Sequence, residues 1–354
     1  MEVDQTDSNN ILLSTDYQIH TYNIVERKLT SIAGKPGVPG LEDGAGDQAE
    51  FSWVTGFAQL DSSIVVVVDS YNNCLRQLER SSRRVSHYAG VCQFGGGGGN
   101  NDGVADQAQF DLPWSVYVNR HNDNELIVTD TINKALRLVS TINREVTTLM
   151  TNLPDGPYSI VWHPHDNSII YVSCACVVII IDLTSISRGY DTLVSYCTGA
   201  SIESDLKDIM FLSDSAILLA DSRYNQLYVY DINSNASYSI CTGEEDSEDG
   251  GISQCKLNDP ESLLQVDDQI YVGEDGSIRT LQRMYWLITT SISKYFALHI
   301  SNNSQHIAPT LLIAQSPLLQ IANSQCLQIL SSIYTWLVGV SGALSMHWCT
   351  SPHV

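Results

Sequence analysis

The sequence predicts an all-β protein, a six-bladed β-propeller, from two observations. The first is internal repetition: Asp43 precedes Phe51 by eight positions and Asp102 precedes Phe110 at the same spacing, within the similar segments DGAGDQAEF and DGVADQAQF. The second is that each unit contains four short runs rich in β-branched and aromatic residues, separated by Gly, Asn, Asp and Ser, as is typical of strands. Four strands in about 49 residues is the period of a propeller blade, in which each sheet packs on the next around a central channel.

Individual strands can be placed in each unit. The second unit has strands at 56–60, 63–68, 74–78 and 85–88, and the third at 114–118, 125–129, 135–139 and 145–149. Residues 154–199 and 200–243 form two further units whose opening Asp-Gly is lost. A further Asp-Gly pair begins at Asp249 and precedes Leu257 by the same eight positions. Because equivalent residues of a repeat meet equivalent environments, Phe51, Phe110 and Leu257 should be buried at equivalent positions.

Both ends of the repeat are incomplete. Residues 11–14, 18–23 and 28–32 match the last three strands of a unit, and residues 262–266, 269–272 and 277–282 match the first three. The predicted total is two strands short of a complete ring of six four-stranded blades. Residues 285–291 are apolar and β-prone enough to supply the missing outermost strand, whereas nothing before Asn10 resembles an innermost one.

The predicted organisation follows from these ends. We expect a disordered segment at 1–9 and a propeller over 10–283, with a three-stranded first blade whose inner edge is exposed. We expect the tail, 284–354, to be irregular beyond a last strand at 285–291 and to leave the ring after about residue 302. No signal-peptide pattern opens the chain, so the sequence predicts either a cytosolic protein or one whose true start is missing.

Charge separates the chain into two parts. The 40 Asp and Glu against 18 Lys and Arg give a net charge of −22, which argues against nucleic acid and anionic membrane surfaces as partners. Residues 295–354 contain no Asp, Glu, Lys or Arg. Within them, residues 327–348 are long enough to span a bilayer but carry Gln328, His347 and several Ser. The tail is therefore either a membrane anchor or not a natural extension of the repeat.

A recurring motif carries a family resemblance. Asp-Gly, Ala-x-Phe, Pro, an Asp-x-x-Asn-x-x-Leu-Arg segment and a closing Ala-Gly or Thr-Gly together resemble NHL repeats of the β-propeller class. Residues 69–76 and 130–137 fit this pattern fully, whereas residues 221–228 keep the Asp and Leu, shift the Asn by one place and have Tyr228 in place of Arg. The resemblance covers about residues 10–283 and implies a six-bladed ring that is truncated at its N-terminus.

The recurring polar residues have two interpretations. Asp and Asn suit a tight turn between the second and third strands, because their side chains bond to local backbone amides and tolerate unusual φ and ψ. Alternatively, Arg76 and Arg137 mark a ligand groove on that face. The candidate binding residues of this loop face are Asp69, Asn72, Arg76, Asp130, Asn133, Arg137, Asp221 and Asn225.

The resemblance also raises an enzymatic alternative. Some relatives of this fold are peptidyl-hydroxyglycine amidating lyases or calcium-dependent lactonases, with a metal in the central channel. The innermost strands place five residues of this chain on the channel: Thr55, Ser115, Ser159, Asp208 and Glu261. Two carboxylates and no His are a poor metal set, because calcium takes six to eight oxygen ligands and zinc prefers His or Cys. We therefore predict neither catalytic nor metal-binding residues.

Two other segments invite a metal interpretation. His163 and His165 lie in a turn and supply at most two zinc ligands, so a polar loop is the favoured interpretation. The acidic run at 244–249 has Lys256 where an EF-hand calcium loop needs a bidentate Glu. We interpret it as a solvated loop between blades with room for weak calcium binding, and we predict no cofactor.

The nine cysteines bear on the cellular compartment. Cys241 and Cys255 flank the acidic run, one closing a blade and the other opening the next, and we predict a disulfide between them. Cys174 and Cys176 should point to one face of a strand as ordinary buried residues. A disulfide implies a secreted or cell-surface protein. In that setting Asn235-Ala236-Ser237 and Asn302-Asn303-Ser304 are glycosylation acceptors.

The sequence favours a non-catalytic propeller that presents its loop faces to a protein partner, because repeat scaffolds supply broad rigid surfaces without catalytic groups. The alternative is a metal-dependent hydrolase or lyase with its site in the channel. A membrane is expected as a partner only if the C-terminal tail is a true anchor.

Overall fold

The fold was established from a computed structural model, which describes residues 1–197, 204–241, 250–251, 255–284 and 297–301. These residues form six antiparallel sheets in chain order, which are the six blades of a β-propeller. No α-helix occurs in the described residues, and the short 3-10 helices are Gly46–Gln48, Ser70–Asn72, Ala105–Gln107 and Ile186–Arg188. The predicted fold class is therefore confirmed.

The first three blades are built from the following strands, given from the innermost outward. Blade 1 has Glu2–Val3, Asn10–Thr15, Gln18–Asn23 and Lys28–Ala33. Blade 2 has Val54–Gln59, Ile64–Asp69, Cys74–Glu79 and Arg84–Ala89, with Gly44–Ala45 outside them. Blade 3 has Pro113–Val118, Glu125–Asp130, Ala135–Ser140 and Glu145–Met150, with Gly103–Val104 outside them.

The remaining blades follow the same order. Blade 4 has Pro157–His163, Asp166–Cys174, Val177–Asp182 and Asp191–Ser195. Blade 5 has Leu206–Ser213, Ala216–Asp221, Gln226–Asp231 and Ala236–Ile240. Blade 6 has Ser262–Val266, Gln269–Glu274, Ser277–Met284 and Ala297–Ser301, with Gly250–Gly251 outside them.

Three blades have five strands where the sequence predicted four. In blades 2 and 3 the extra strand is the Asp-Gly opening itself, since Gly44 pairs with Val85 and Gly103 pairs with Val146 on the outermost long strand. The opening motif is thus an outer edge strand of its own blade. A two-residue strand lacks the alternating apolar pattern from which strands are recognised, so sequence periodicity missed it.

The second strand of blade 2 is apolar over residues 64–68 because it is buried on both faces. In blade 2, Val65 and Val67 pack against blade 1, whereas Val66 and Val68 pack against blade 3. Successive side chains of a strand point to opposite faces, so a blade between two neighbours needs apolar residues at every position. In the sequence, such a strand appears as a continuous run of apolar residues, as in residues 64–68.

The opening motif also supplies an interior residue to its blade. Phe51, Phe110 and Leu257 are 0%, 1% and 0% exposed, as predicted for equivalent positions of a repeat. The Phe110 ring lies against Gly90, which has a φ of 91° and where a Cβ atom would come within 2.7 Å of the ring. This contact explains the glycine that closes the second unit, because other residues rarely adopt that conformation.

The N-terminal segment differs from the expectation of a disordered stretch at 1–9. Glu2–Val3 pairs antiparallel with the next strand, Glu2 opposite Leu12 and Val3 opposite Ile11, so blade 1 has four strands and its inner edge is partly covered. The segment is held by polar bonds, since the Asp4 carboxylate pairs with Arg80 at 2.9 Å. The Gln59 side chain donates to the Val3 carbonyl at 2.7 Å. Long-range side-chain partners, which periodicity cannot show, stabilise this short strand.

The last blade also differs from the prediction. The strand that pairs with Ser277–Met284 is Ala297–Ser301, with Leu281 opposite Ile300. The outermost position predicted for 285–291 is therefore taken by a later segment, and 285–291 itself lies outside the described residues. The acidic run 244–249, the sequon at Asn302 and the tail beyond 301 also lie outside them. Within the described residues no helix is long and apolar enough to cross a membrane.

The ring closes between blades 6 and 1 by contact of their innermost strands. Among the described residues each blade is built from one stretch of chain, and none of these blades combines the two ends. Hydrophobic clusters join blades 1 and 2, 2 and 3, 3 and 4, 4 and 5, and 5 and 6. No comparable cluster joins blades 6 and 1 within the described residues.

Candidate functional site: the turn face and the channel mouth

The ring has two faces, which the strand order defines. We call the face that carries the turns between second and third strands the turn face, and the other the opposite face. The innermost strands begin at the turn face, because Val54 pairs with Asp69 and Pro113 with Asp130 at the ends of the second strands. The turns between third and fourth strands lie on the opposite face.

The recurring Asp and Arg residues lie inside the blades. Asp69 and Arg76 are 0% and 1% exposed. Arg76 Nη1 lies 3.0 Å from Asp69 Oδ2 and its Nη2 lies 2.5 Å from Asp43 Oδ1. The Arg76 guanidinium lies 5.4 Å from the centre of the Phe51 ring. The arginine thus joins the turn, the opening Asp and the buried Phe of one repeat.

Blade 3 repeats this arrangement. Arg137 is 1% exposed and pairs with Asp130 and Asp102, both at 2.8 Å. Its guanidinium lies 5.3 Å from the Phe110 ring. Burial raises the pKa of Asp130, and bonds from Asn133, the Asp111 amide and Arg137 oppose that shift. The partners of these side chains lie within the blade, which favours the turn interpretation over a ligand groove.

We call this pairing of a buried arginine with a carboxylate at the turn the clamp, and the weaker repeats keep part of it. Asp221 accepts bonds from the amides of Asp205 and Arg223, both at 3.1 Å, and no arginine stands at position 228. Asn225, which is half-buried, accepts a bond from the Asp259 amide at 2.8 Å and so links blade 5 to blade 6. Asn72 is buried and Asn133 half-buried, and their amides donate to Asp69 and Asp130.

Sequence reasoning missed a further copy in blade 6. Arg279 is fully buried and its Nη1 lies 3.3 Å from Glu274 Oε1. Glu274 also accepts the Asn258 amide at 2.8 Å, as Asp69 accepts the Ser52 amide at 2.7 Å. The motif was hidden for two reasons: a Glu stands at the Asp position, and Arg279 follows it after five positions, whereas Arg76 and Arg137 follow their Asp residues after seven.

A row of aromatic rings crosses the turn face at the entries of blades 2 to 4. Tyr71 and Trp53 have ring centroids 4.5 Å apart, Trp53 and Trp114 are 5.2 Å apart, and Trp114 and Tyr158 are 5.0 Å apart. All three contacts are edge-to-face, a favourable geometry for aromatic pairs. Lys207 extends the row, because its Nζ lies 3.9 Å from the Tyr158 ring centre and 4.3 Å from that of Trp114.

The backbone beside these rings is unusual. Trp53, Leu112 and Asp259 occupy the same repeat position and have φ values of 65°, 52° and 51°. Bulky residues rarely adopt positive φ, and such outliers concentrate at functional sites. Asn73 accepts the Leu112 amide at 2.8 Å, which holds this conformation from the preceding blade.

Three apolar side chains stand exposed on the same face. Tyr71, Ile132 and Tyr224 are 49%, 59% and 43% exposed and occupy the tips of the turns of blades 2, 3 and 5. A single exposed apolar residue is ordinary, so the notable feature is that three of them occupy corresponding turns of one face. Tyr71 is also the first ring of the aromatic row, so the exposed apolar side chains and the row lie on the same face.

The channel opens at the centre of this face as a cavity of about 180 Å³. The five residues predicted to line the channel, Thr55, Ser115, Ser159, Asp208 and Glu261, all line it.

A polar network occupies the cavity. The Tyr117 hydroxyl lies 2.9 Å from Ser159 Oγ, which donates to Asp208 Oδ1 at 2.5 Å. Asp208 Oδ2 accepts the Leu263 amide at 2.7 Å. Burial raises the pKa of Asp208, and burial followed by the charge of Asp208 raises the pKa of Tyr117 to about 12. Both carboxylate oxygens of Asp208 are therefore hydrogen-bonded to groups that line the channel.

Carboxylates surround the mouth of the cavity. Burial, followed by the negative charge of Asp259, raises the pKa of Glu261 to about 7, whereas Lys207 opposes the shift. Lys207 itself pairs with Asp205 at 3.0 Å. No group of three or more His, Cys, Asp or Glu suited to a metal ion occurs among the described residues.

The two histidines of the predicted polar loop lie on the opposite face. His163 ends the innermost strand of blade 4, and its ring stacks on Tyr171 with centroids 6.3 Å apart. His165 lies 3.0 Å from Asp214.

The cysteines form three disulfides in the described residues. Cys241 and Cys255 are joined as predicted, with Cα atoms 4.5 Å apart, and link the end of blade 5 to the start of blade 6. Cys74 with Cys92 and Cys176 with Cys197 are two pairs that sequence reasoning missed. Cys176 lies in a turn and is bonded, so the expectation of two unbonded residues on one strand is wrong, whereas Cys174 is free and buried.

No protein-family model matches the chain, and no curated protein matches its sequence significantly. Solved structures do match. A nidogen/laminin complex aligns with a TM-score of 0.53 at 9% identity, over 77% of this chain and 89% of that one. An auxiliary nutrient binding protein of Bacteroides thetaiotaomicron aligns with a TM-score of 0.53 at 13% identity, over 75% and 69%.

The extracellular domain of a putative hybrid two-component system of the same bacterium aligns with a TM-score of 0.50 at 13% identity, over 78% of this chain and 32% of that chain. This chain therefore corresponds to about a third of that protein's length. At these identities the likeness shows the fold alone. By its six sheets the chain is a six-bladed β-propeller, and by these alignments its fold is similar to that of a chain in a nidogen/laminin complex and to that of an extracellular domain from Bacteroides thetaiotaomicron.

Proposed function

We propose that the protein is a non-catalytic propeller of NHL-like repeats that binds a protein partner on its turn face. The observation that carries the proposal is that Tyr71, Ile132 and Tyr224 are exposed at corresponding turns of the face that carries the aromatic row. Interfaces are enriched in Tyr and Trp, and their strongest contacts cluster near the centre of the patch. The buried clamps support a role in binding, because they fix the turns of this face to the interior of the blades.

Charge indicates the chemistry of the partner. Asp16, Asp155, Asp205, Asp259 and Glu261 lie at strand ends of the turn face around the channel mouth, and the lysines nearby, Lys207 and Lys134, are paired with Asp205 and Asp155. A complementary surface places basic side chains opposite these carboxylates and apolar groups opposite the tips. The partner is therefore a protein with an apolar patch and Lys or Arg beside it.

The compartment is extracellular in this proposal. Three disulfides persist in oxidising compartments and are rare in the cytosol. Two matched structures support this assignment by their names, since one is a complex of nidogen with laminin and another is an extracellular domain.

Site-specific photocrosslinking tests the proposal. A benzophenone amino acid is placed at Tyr71 or Ile132 on the turn face and, as a matched control, at Ile142, which is 78% exposed in a turn of the opposite face. Each protein is irradiated with an extracellular matrix and cell-surface extract. We expect one protein to be captured from positions 71 and 132 and not from position 142.

Direct binding to the captured protein completes the test. Tyr71→Ala with Ile132→Ala should weaken affinity by about tenfold or more, because both apolar side chains contact the partner in this proposal, whereas Ile142→Ala should change it by less than about twofold. Equal capture at both faces, or unchanged affinity in the double variant, would contradict the proposal.

A further inference from the structure

The turn between the last two strands of blade 5 carries a glycosylation sequon with suitable geometry. Asn235 is exposed and precedes the outermost strand, Ala236–Ile240, and Ser237 is exposed two positions later. It is the only Asn-x-Ser or Asn-x-Thr sequence in the part of the chain that the structure describes. Exposed loop positions in secreted proteins are where this modification is found.

The two polar atoms of the Asn235 side chain differ in their hydrogen bonding. Its Oδ1 accepts a hydrogen bond from the Tyr230 hydroxyl at 2.6 Å. Its Nδ2 forms no hydrogen bond within the described residues, so a substituent there breaks none of the native contacts. A sugar on Nδ2 leaves Oδ1 free to keep its bond to Tyr230.

The backbone around Asn235 also tolerates the modification. Asn235 has a φ of 52°, in the left-handed region that Asn adopts more readily than most residues. The amides of Asn233 and Ser234 donate to Asp231 at 2.9 and 3.2 Å and fix the turn. The sequon therefore lies on a defined turn, with its side chain at the surface.

Its position on the ring is compatible with the proposed binding surface. The turn joins the third and fourth strands of blade 5 and so lies on the opposite face, whereas Tyr224 of the same blade lies on the turn face. A large hydrophilic glycan at Asn235 therefore leaves the turn face open.

We infer that Asn235 is N-glycosylated, an inference that rests on the extracellular location proposed above and is independent of the binding face. In the reaction, Asn235 Nδ2 forms a bond to the anomeric carbon of an oligosaccharide carried on a lipid pyrophosphate. The bond from that carbon to the pyrophosphate oxygen breaks, the lipid pyrophosphate leaves with the electron pair, and Nδ2 loses a proton.

The test directs the full chain into the secretory pathway of cultured eukaryotic cells behind a cleavable leader. Protein from cells and medium together is digested with peptide N-glycosidase in heavy-oxygen water. We expect position 235 to be recovered as Asp carrying the heavy label, and the undigested protein to migrate more slowly than the digested one. Disulfide content, read on the same sample without reduction, reports the oxidising compartment separately.

Matched variants isolate the site. Asn235→Asp keeps a residue that tolerates positive φ and can still accept the Tyr230 bond, but has no Nδ2, so the label should disappear from position 235. Ser237→Ala should abolish it and Ser237→Thr should retain it, because either hydroxyl completes the sequon. Asn302→Gln should leave it unchanged.

An unlabelled Asn235 in protein whose cysteines are disulfide-bonded would overturn the inference. Retention of the label in Ser237→Ala would do the same. Neither result would bear on capture at Tyr71 and Ile132, so the two proposals fail separately.

Discussion

At the residue scale, the recurring Asp and Arg residues of the repeat hold its turns together. Arg76 and Arg137 each join a carboxylate at a turn to the opening Asp of the same repeat while lying near a phenyl ring. Removal of one partner from a buried pair is costly, because the other charge remains without compensation.

We predict that Arg137→Met lowers the free energy of unfolding by about 3 to 5 kcal/mol, since Asp130 is fully buried and loses its cation. Urea unfolding followed by fluorescence measures the change. Lys134→Met is the matched control, because Lys134 is 49% exposed in its pair with Asp155 and should cost about 0 to 1 kcal/mol. A loss in Arg137→Met no larger than in the control would refute the clamp.

A pH dependence follows from Glu261. Its pKa rises from 4.5 to about 7 on folding, through burial and then Asp259. Between these values the unfolded chain has released the proton that the folded chain retains. The contribution of Glu261 to the free energy of unfolding should therefore fall as pH rises from about 4.5 to about 7 and level off above.

Glu261→Gln has no such proton, so the difference in unfolding free energy between variant and wild type should grow in favour of the variant over that pH range. Unfolding midpoints at several pH values measure it. A difference that is constant with pH would show that Glu261 has an ordinary pKa.

At the element scale, neighbouring blades are joined by apolar contacts and, between blades 5 and 6, by a covalent bond. Cys241 directly follows the outermost strand of blade 5, and Cys255, 14 positions later, precedes the innermost strand of blade 6. A disulfide stabilises chiefly by restricting the unfolded chain, in the chain-entropy account.

We predict that Cys241→Ala with Cys255→Ala lowers the free energy of unfolding by about 3 kcal/mol, the value for a loop of roughly 15 residues. Chemical denaturation of both proteins without reductant gives the difference. Cys174→Ala is the control, because that cysteine forms no disulfide. Equal stability of the double variant and the wild type would argue against the bond in the folded protein.

At the scale of the whole molecule, the ring has one joint unlike the others. Hydrophobic clusters connect each of the five successive pairs of blades. Blades 6 and 1 meet through their innermost strands, and the innermost strand of blade 1 has two residues, whereas that of blade 2 has six. Local opening begins where apolar contacts are fewest.

Native-state hydrogen exchange should therefore find the amides of blade 1 and blade 6 less protected than those of blades 2 and 3. Mass spectrometry of peptides covering Asn10–Thr15 and Glu125–Asp130 provides the comparison, since both are second strands of six residues. Equal protection of the two peptides would mean that the ring opens as one unit.

The sequence by itself determined the fold class, the six units and the buried positions of the repeat. It did so because a strand buried on both faces must be apolar at every position, as at residues 64–68, and because equivalent turns reuse Asp, Asn and Gly. The Cys241–Cys255 pair could be predicted as well, since both cysteines stand at fixed places in that repeat.

Only the tertiary structure decided which residues meet across blades. Glu2–Val3 is a strand because Asp4 reaches Arg80 and Gln59 reaches Val3, contacts that span more than fifty residues of sequence. The row from Tyr71 through Trp53 and Trp114 to Tyr158 is likewise assembled from three blades. Periodicity reports the environment of a strand, whereas the curvature of the ring and the side-chain partners across it arise only when all six blades are packed together.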